Sequence, residues 1–208
     1  MAQVTSGLLT VFSWPPVYAL AQNIMGGKRG RKYLVDQYIR PYPNMTVLDI
    51  GCGPAAILAH MPGVAYWGFD ISEPYIEMAK KQFKEQGTFL VKEFEENDLN
   101  FLPRFDVVLL SGVLHHLSDN EVDNLLGLIA LALKPDGRVV TVDPAFAPKQ
   151  NFVARWLIQH DRGRNVRDAN GYRERAMKQF GDVRVEIKHR MWIPYTHCYM
   201  DCRKAWAQ

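Results

Sequence analysis

The chain has 208 residues, of which 48% are hydrophobic and 23% are charged, and its formal net charge at pH 7 is +3. This composition predicts one globular domain with a substantial core and excludes an intrinsically disordered chain. So small a charge does not by itself indicate a nucleic-acid partner. The three cysteines lack the spacing of a disulfide framework, and no metal site is predicted, because Cys198 and Cys202 alone supply too few ligands.

The amino-terminal stretch over residues 7–20 is apolar and raises the question of a membrane span. Pro15 and Pro16 interrupt it well short of the roughly 20 residues that a span requires. No basic segment precedes it, as one would in a secretory signal. We therefore expect a cytoplasmic protein without membrane contact.

Short apolar runs then alternate with helical patterns, which predicts an α/β fold built on a mostly parallel sheet. The predicted strands cover residues 47–50, 65–70, 88–94, 105–110, 138–142, 183–191 and 195–203. A first helix is predicted at about residues 54–60, and a second after Ser72, a plausible N-cap. A third helix follows Ser118, which forms a capping box with Glu121.

The stretch Val-Leu-Asp-Ile-Gly-Cys-Gly, at residues 47–53, ends the first strand in a glycine turn. Gly51 and Gly53 carry no Cβ, so the backbone there can approach a ligand closely. Asp49 is costly to bury unless it meets a cation or hydrogen-bond donors. The second strand ends at Asp70, where an open α/β sheet accepts hydrogen bonds from ribose hydroxyls. Together these features predict a site for a nucleoside cofactor.

Two cofactors fit this pattern, and charge separates them. Gly51, Gly53 and Ala56 match the fingerprint of nicotinamide dinucleotide enzymes. The carboxylate of Asp49 would oppose a pyrophosphate, whereas it favours the sulfonium and ammonium of S-adenosylmethionine. The sequence therefore favours S-adenosylmethionine, with S-adenosylhomocysteine as its product.

Four segments resemble the motifs of the class I S-adenosylmethionine-dependent methyltransferases. They are residues 47–53, 69–72, 105–117 and 133–140, in the family's order and spacing. The resemblance implies a Rossmann-like fold, with a seven-stranded, mostly parallel sheet whose last strand is antiparallel and helices on both faces. It also implies a single domain with a helical lid over residues 1–44, a cofactor core over 45–145, an acceptor-side insertion over 146–181 and a β-hairpin over 182–208.

The resemblance also assigns cofactor contacts. Those in the core are Asp49, Gly51, Cys52, Gly53, Asp70, Ile71, Ser72, Glu93, Phe94 and Ser111. Glu93 would meet the exocyclic amine of adenine and Phe94 its ring, with Asp98 as the competing candidate. In the lid, Tyr18 and Gln22 would share a helical face and reach the methionine end.

Candidate catalytic residues follow the fourth strand, where the methyl group would pass. A hydroxyl acceptor benefits from a base, and the pKa of histidine lies near neutrality. His115 and His116 are the candidates, and at most one of them would face the acceptor. The alternative is that the pair only lines the cofactor pocket or caps the following helix.

Residues of the carboxyl-terminal third are the candidates for acceptor binding. Arg162, Arg164 and Arg167 surround a glycine in a predicted loop, and guanidinium groups recognise carboxylate or phosphate. Tyr195 and His197 share a face of the last strand and could border the same pocket. The alternatives are a solvated arginine-rich loop and ordinary edge residues.

These features predict a methyltransferase acting on a small polar or anionic acceptor, with O-methylation of a metabolite or sugar preferred. An RNA methyltransferase is one alternative, although the chain lacks the broad basic face that this function would need. The other is a cofactor-binding interaction subunit without turnover, and a homodimer is left open.

Overall fold

The computed structural model describes residues 27–160, 163–190 and 195–204. Within them a twisted sheet is built from β1 (Thr46–Ile50), β2 (Ala65–Asp70), β3 (Thr88–Val91), β4 (Phe105–Ser111), β5 (Leu133–Phe146), β6 (Arg167–Asp168), β7 (Asp182–Arg190) and β8 (Tyr195–Arg203). The main path runs β3-β2-β1-β4-β5-β8-β7, and the two-residue β6 pairs with the end of β5. All pairs are parallel except those of β8, which is antiparallel to both β5 and β7. The predicted seven-stranded sheet with one antiparallel strand is confirmed.

Five α-helices lie within the described residues. They are α1 (Gly27–Leu34), α2 (Glu73–Phe83), α3 (Asp119–Ala132), α4 (Phe152–Gln159) and α5 (Ala169–Met177). A π-helical turn over Val35–Ile39 continues α1. The predicted capping box begins α3, where the Ser118 and Glu121 side chains each accept the other residue's backbone N–H.

The sheet separates two apolar layers, because alternate residues of a strand point to opposite faces. On β1, Leu48 belongs to the layer covered by α3 and α5, and Val47 belongs to the layer covered by α1 and α2. Both side chains are fully buried. The strand is therefore covered on both sides, as its continuous apolar sequence predicts.

The predicted helix at residues 54–60 is not formed. Turns lead from Gly53 to a short 3₁₀ segment at Leu58–His60. Ala55 has a φ of 52°, and a residue in the left-handed region cannot lie inside a right-handed helix. Pro62 leaves too few residues after Ala55 for a full helix to form between them. The chain after the glycine turn therefore enters the layer covered by α1 and α2 without starting a helix.

The fifth strand is much longer than predicted. It begins at Leu133, includes the Lys-Pro-Asp-Gly segment that precedes the predicted strand at residues 138–142, and continues to Phe146. A register shift between Phe105 and Val107 on β4 accommodates the extra residues. The extension carries Asp143 to the edge of the sheet at which β4 ends, since Ser111 pairs with Val142.

Candidate active site

The carboxyl ends of β1, β2 and β4 meet at one edge of the sheet, and the glycine turn lies there. Gly51 has a φ of 72° and Gly53 a φ of 54°. The backbone N–H groups of Gly51 and Cys52 both donate to the carbonyl of Phe69 at the end of β2, at 2.8 and 3.0 Å. A Cβ added to Gly53 would meet no atom within 4 Å, whereas one added to Gly51 would lie 2.6 Å from Val113 Cγ2. The turn is thus fixed against the sheet and faces open space at Gly53.

Asp70 holds this turn to the start of α2. Its Oδ2 accepts the backbone N–H of Gly53 at 2.8 Å, and its Oδ1 accepts that of Ser72 at 2.8 Å. Each carboxylate oxygen keeps a second lone pair, so Asp70 can still accept hydrogen bonds from a diol. Beside it, the Ile71 side chain is 47% exposed and offers an apolar surface at the same edge. The predicted ribose acceptor and an apolar contact are therefore adjacent.

Asp49 is a buried carboxyl group beneath the turn. Its Oδ2 accepts a hydrogen bond from the Tyr66 hydroxyl at 2.6 Å, and its Oδ1 has no hydrogen-bond partner within the described part of the chain. Burial raises the pKa of Asp49 to about 7, and the charge of Asp70 adds to this, against the hydrogen bond from Tyr66. A buried carboxyl with an unused oxygen favours a cationic ligand.

The buried carboxyl group of Asp49 makes both the folding stability and the cofactor affinity depend on pH. Because its pKa in the fold lies above its ordinary value, neutral Asp49 stabilises the empty protein at acid pH, and this contribution is lost as the pH rises from about 4 through about 7. A bound cation favours the ionised form, so binding should release a proton. We expect the affinity for S-adenosylmethionine to rise several-fold between about pH 5.5 and pH 7. Calorimetry in two buffers of different ionisation enthalpy measures both effects.

The matched control is Asp49→Asn, which should bind more weakly and lose the proton release. The other ionisable side chains beside Asp49 are those of Tyr66, Cys52 and Asp70. Proton release that persists in Asp49→Asn would contradict the assignment to this carboxyl group.

Cys52 holds the turn through its backbone N–H, and its thiol packs against β2. Its Sγ donates to the carbonyl of Gly53 at 3.4 Å, and a Cβ added to Gly68 of β2 would lie 2.8 Å from it. Burial raises the pKa of the Cys52 thiol, so the sulfur is not an activated nucleophile.

The two predicted adenine contacts after β3, Glu93 and Phe94, differ in their exposure to solvent. Phe94 is 7% exposed, and its ring packs edge-to-face on Phe69 with centroids 5.6 Å apart, so it is a core residue. Asp98 bonds to Lys92 and to the backbone N–H of Glu95, whereas the side chain of Glu93 is exposed. Of the two predicted contacts, only Glu93 presents its side chain to solvent.

The loop after β4 carries the predicted histidines. Ser111 is exposed at the strand end, and Gly112 follows with a φ of 73°. A 3₁₀ turn at Leu114–His116 then places the two histidine rings 4.0 Å apart, with His115 buried and His116 exposed. The two side chains therefore have different environments.

His115 is paired with a carboxylate that sequence reasoning missed. Its Nδ1 lies 2.8 Å from Asp143 Oδ1, and its backbone N–H donates to the same oxygen at 3.2 Å. Asp143 lies on β5 and is 1% exposed. In the tautomer with the proton on Nδ1, the ring donates to Asp143 Oδ1 and Nε2 is the basic nitrogen. A signal was present in the sequence, since an acid at the end of the fifth strand must lie at the edge where the fourth strand ends.

Glycines enclose the outer edge of the His115 ring. A Cβ added to Gly163 would lie 2.0 Å from His115 Cδ2, and one added to Gly112 would lie 3.7 Å from Cε1. Nε2 lies between these two ring carbons, so Gly112 and Gly163 are near it on either side. The backbone N–H of Asn165 donates to the carbonyl of His115 at 3.0 Å.

Arg167 does not present its guanidinium to a ligand. Its five N–H donors bond to the carbonyls of Leu114, Leu117 and Asn165 and twice to Asp119 Oδ1, at 2.7–3.0 Å. All its donors are therefore used within the protein, on both sides of the histidine turn. The prediction that Arg167 binds the acceptor conflicts with this geometry.

The other predicted acceptor residues are placed apart. Arg164 is exposed and lines a cavity beside α4. Tyr195 and His197 lie on the same face of β8 as Tyr199, which packs in the layer under α1. Asp143 points to the opposite face, so the structure does not bring Tyr195 and His197 to the histidine pair. Tyr18, Gln22 and Arg162 lie outside the described residues.

Comparisons with known proteins find methyltransferases similar to this chain. Residues 47–137 match the family model described as a methyltransferase domain. The chain is 25% identical to an O-methyltransferase of Pyrenophora dematioidea, over 90% of this chain and 75% of that protein. It is 28% identical to the ubiquinone biosynthesis O-methyltransferase of Chelativorans sp. (strain BNC1), over 76% of this chain and 66% of that protein. The crystal structure of human N-acetylserotonin methyltransferase in complex with SAM aligns with a TM-score of 0.69 at 20% identity, over 97% of this chain and 60% of that chain.

The strand order defines a doubly wound α/β protein whose glycine turn lies at the carboxyl edge of the sheet, where ligands bind in this fold class. The match of residues 47–137 to a methyltransferase domain supports the class I S-adenosylmethionine-dependent methyltransferase family that the sequence motifs predicted. The predicted cofactor, S-adenosylmethionine, is accordingly that of the family. The chain spans less than two thirds of the human enzyme's chain. Across the described residues, every helix is too short or too polar to serve as a membrane span.

Proposed function

We propose that this chain transfers a methyl group from S-adenosylmethionine to a hydroxyl group of a small polar or anionic molecule, with His115 as the general base. The observation that carries the proposal is the 2.8 Å contact of His115 Nδ1 with the buried Asp143, at the edge that also holds the glycine turn. Two curated relatives of low identity are named as O-methyltransferases, which supports an oxygen acceptor.

The residues of the glycine turn fit S-adenosylmethionine better than a dinucleotide. Asp49 has a buried oxygen without a partner in the described residues, and Asp70 has lone pairs to spare for a ribose. A pyrophosphate is usually held at the N-terminus of a helix, but turns and a three-residue 3₁₀ segment follow Gly53. Two carboxyl groups, with no helix that begins directly after Gly53, favour a cation over a diphosphate.

Bound S-adenosylmethionine supplies an electrophilic methyl group on a sulfonium. The chain's own contribution to transfer is alignment of the acceptor, exclusion of water and removal of the hydroxyl proton. Nε2 of His115 takes that proton, and Asp143 holds the ring and stabilises the imidazolium that forms. His116 is exposed, whereas His115 is buried against Asp143.

Arg167 serves this mechanism as a positioning residue. Its bonds to the carbonyls of Leu114 and Leu117 hold the turn that carries His115. We expect Arg167→Met to lower kcat about 10- to 100-fold and to change its pH profile, with cofactor affinity retained. Arg167→Lys should restore only part of the rate, because an ammonium cannot reproduce the fork of five donors.

The control for Arg167 is Arg138→Met. Arg138 has a similarly buried side chain, and it bonds to Asp201 and to the carbonyl of Ile39, away from the histidine turn. Loss of a buried arginine alone would affect stability in both variants but the pH profile in neither. Equal profiles in Arg167→Met and the wild type would refute the positioning role.

The proposed function is tested by incubating the protein with methyl-labelled S-adenosylmethionine and a panel of hydroxyl-bearing metabolites and sugars, with RNA as a separate sample. Label in an O-methyl product supports the proposal. Label only in RNA would favour the alternative methyltransferase, and cofactor binding without transfer to any sample would favour an interaction subunit.

A further inference from the structure

A cavity of about 300 Å³ lies between α4 and residues 163–166. Its lining residues are Phe146, Ile158, Gln159, Gly163, Arg164 and Val166. Its volume lies at the lower end of the range for small-molecule sites, so it suits a ligand with one ring or a short chain.

The lining separates into an apolar wall and a polar end. Phe146, Ile158 and Val166 form the wall, and Ile158 is 1% exposed. Gln159 and the exposed Arg164 supply the polar groups, and a second guanidinium, that of Arg155, lies 5.5 Å from the centroid of the Phe146 ring. Among the described residues that line the cavity, the charged side chain is that of Arg164.

The cavity borders the proposed base. Gly163 lines it and also packs against the imidazole of His115, and Asn165 in the same segment bonds to the His115 carbonyl. Arg164 lies between these two anchored residues, so its backbone is fixed relative to His115. Arg167, in the same segment, uses all its donors within the protein, which leaves Arg164 as the described arginine of this segment that faces the cavity.

We propose that this cavity binds a small organic acid with an apolar body, whose carboxylate pairs with Arg164. One guanidinium matches one carboxylate through two parallel hydrogen bonds, and the wall at Phe146 covers the body. A hydroxyl at the far end of such a molecule would be the acceptor. That last assignment rests on the proposed function, whereas the binding of the acid does not.

The test uses 4-hydroxybenzoate as the probe, with the neutral 4-hydroxybenzamide and inorganic phosphate as comparison ligands. Binding is followed by calorimetry on the full chain, with and without S-adenosylhomocysteine. We expect the acid to bind at least 10-fold more tightly than the amide, and Arg164→Gln to remove this preference. Arg173→Gln removes the same charge from an exposed site on α5 and should leave the preference intact.

Each outcome decides between the alternatives. Equal binding of acid and amide, no binding of either, or a preference that survives Arg164→Gln overturns the proposed site. Phosphate binding as tight as that of the acid shows an anion site without a role for the apolar wall, and also overturns it. If the acid binds through Arg164 but is never methylated, the cavity stands and the proposed reaction on this acceptor fails.

Discussion

Replacing Asp70 with alanine should weaken the binding of S-adenosylmethionine by about 1–3 kcal/mol, which is a roughly 5- to 150-fold rise in Kd. Two ribose hydroxyls would lose a charged acceptor. The backbone N–H groups of Gly53 and Ser72 would lose theirs as well, so the turn would be held less firmly. Isothermal titration with S-adenosylmethionine and S-adenosylhomocysteine measures the change, and both ligands should be affected alike.

Two variants separate the lost acceptor from a general loss of structure. Asp70→Asn keeps one carbonyl oxygen and should lose less affinity than Asp70→Ala. Asp136→Ala removes an exposed acid at the opposite end of β5 and should change nothing. Unaltered affinity in Asp70→Ala would mean that the ribose binds elsewhere.

Replacing His115 with asparagine should lower kcat by about 10²- to 10⁴-fold, the range for loss of a general base. The asparagine amide can still donate to Asp143, so the variant removes the basic nitrogen with little change in the turn. Affinity for the cofactor should stay within about twofold of the wild type, because the glycine turn is untouched. Asp143→Asn should also reduce kcat, since it allows the wrong imidazole tautomer.

His116→Asn is the matched control for the base. His116 is exposed and its ring contacts that of His115 at a tilt of 39°, so its loss should have only a small effect on kcat. A large loss in His116→Asn, together with an active His115→Asn variant, would transfer the role to the exposed ring. Equal activity of all variants would show that the reaction needs no histidine base.

The sequence predicted the sheet and the glycine turn because their signals are local. Continuous apolar runs mark strands buried on both faces, and a strand that ends in Gly51 and Gly53 marks a close backbone approach. The edge at which Asp49 and Asp70 act follows from strand order alone. These parts needed no knowledge of long-range contacts.

Contacts that depend on register were beyond the sequence pattern. Asp143 reaches His115 because β5 extends past its predicted end, and Ser111 pairs with Val142. Arg167 looked like a ligand-binding arginine, but its partners lie some 50 residues away in the chain. No local sequence pattern distinguishes an arginine that donates to backbone carbonyls from one that is available to bind a carboxylate ligand.

Tertiary geometry overrode local propensity in one segment, and it gives a second residue a different environment from the one that the sequence suggests. The segment after Gly53 has helix-forming residues, yet the left-handed backbone of Ala55 prevents a helix. Phe94 follows the third strand, as an adenine contact would, but its ring is taken into the core by Phe69. Burial competes for an aromatic side chain as strongly as a ligand does.

The account depends on the turn having been shaped for a cationic methyl donor rather than for a diphosphate. Calorimetry of the wild-type chain with S-adenosylmethionine, S-adenosylhomocysteine and NAD tests this most directly. We expect one molecule of either sulfur nucleoside to bind per chain, and NAD not to compete with it. Binding of NAD, with no heat from S-adenosylmethionine, would contradict the account.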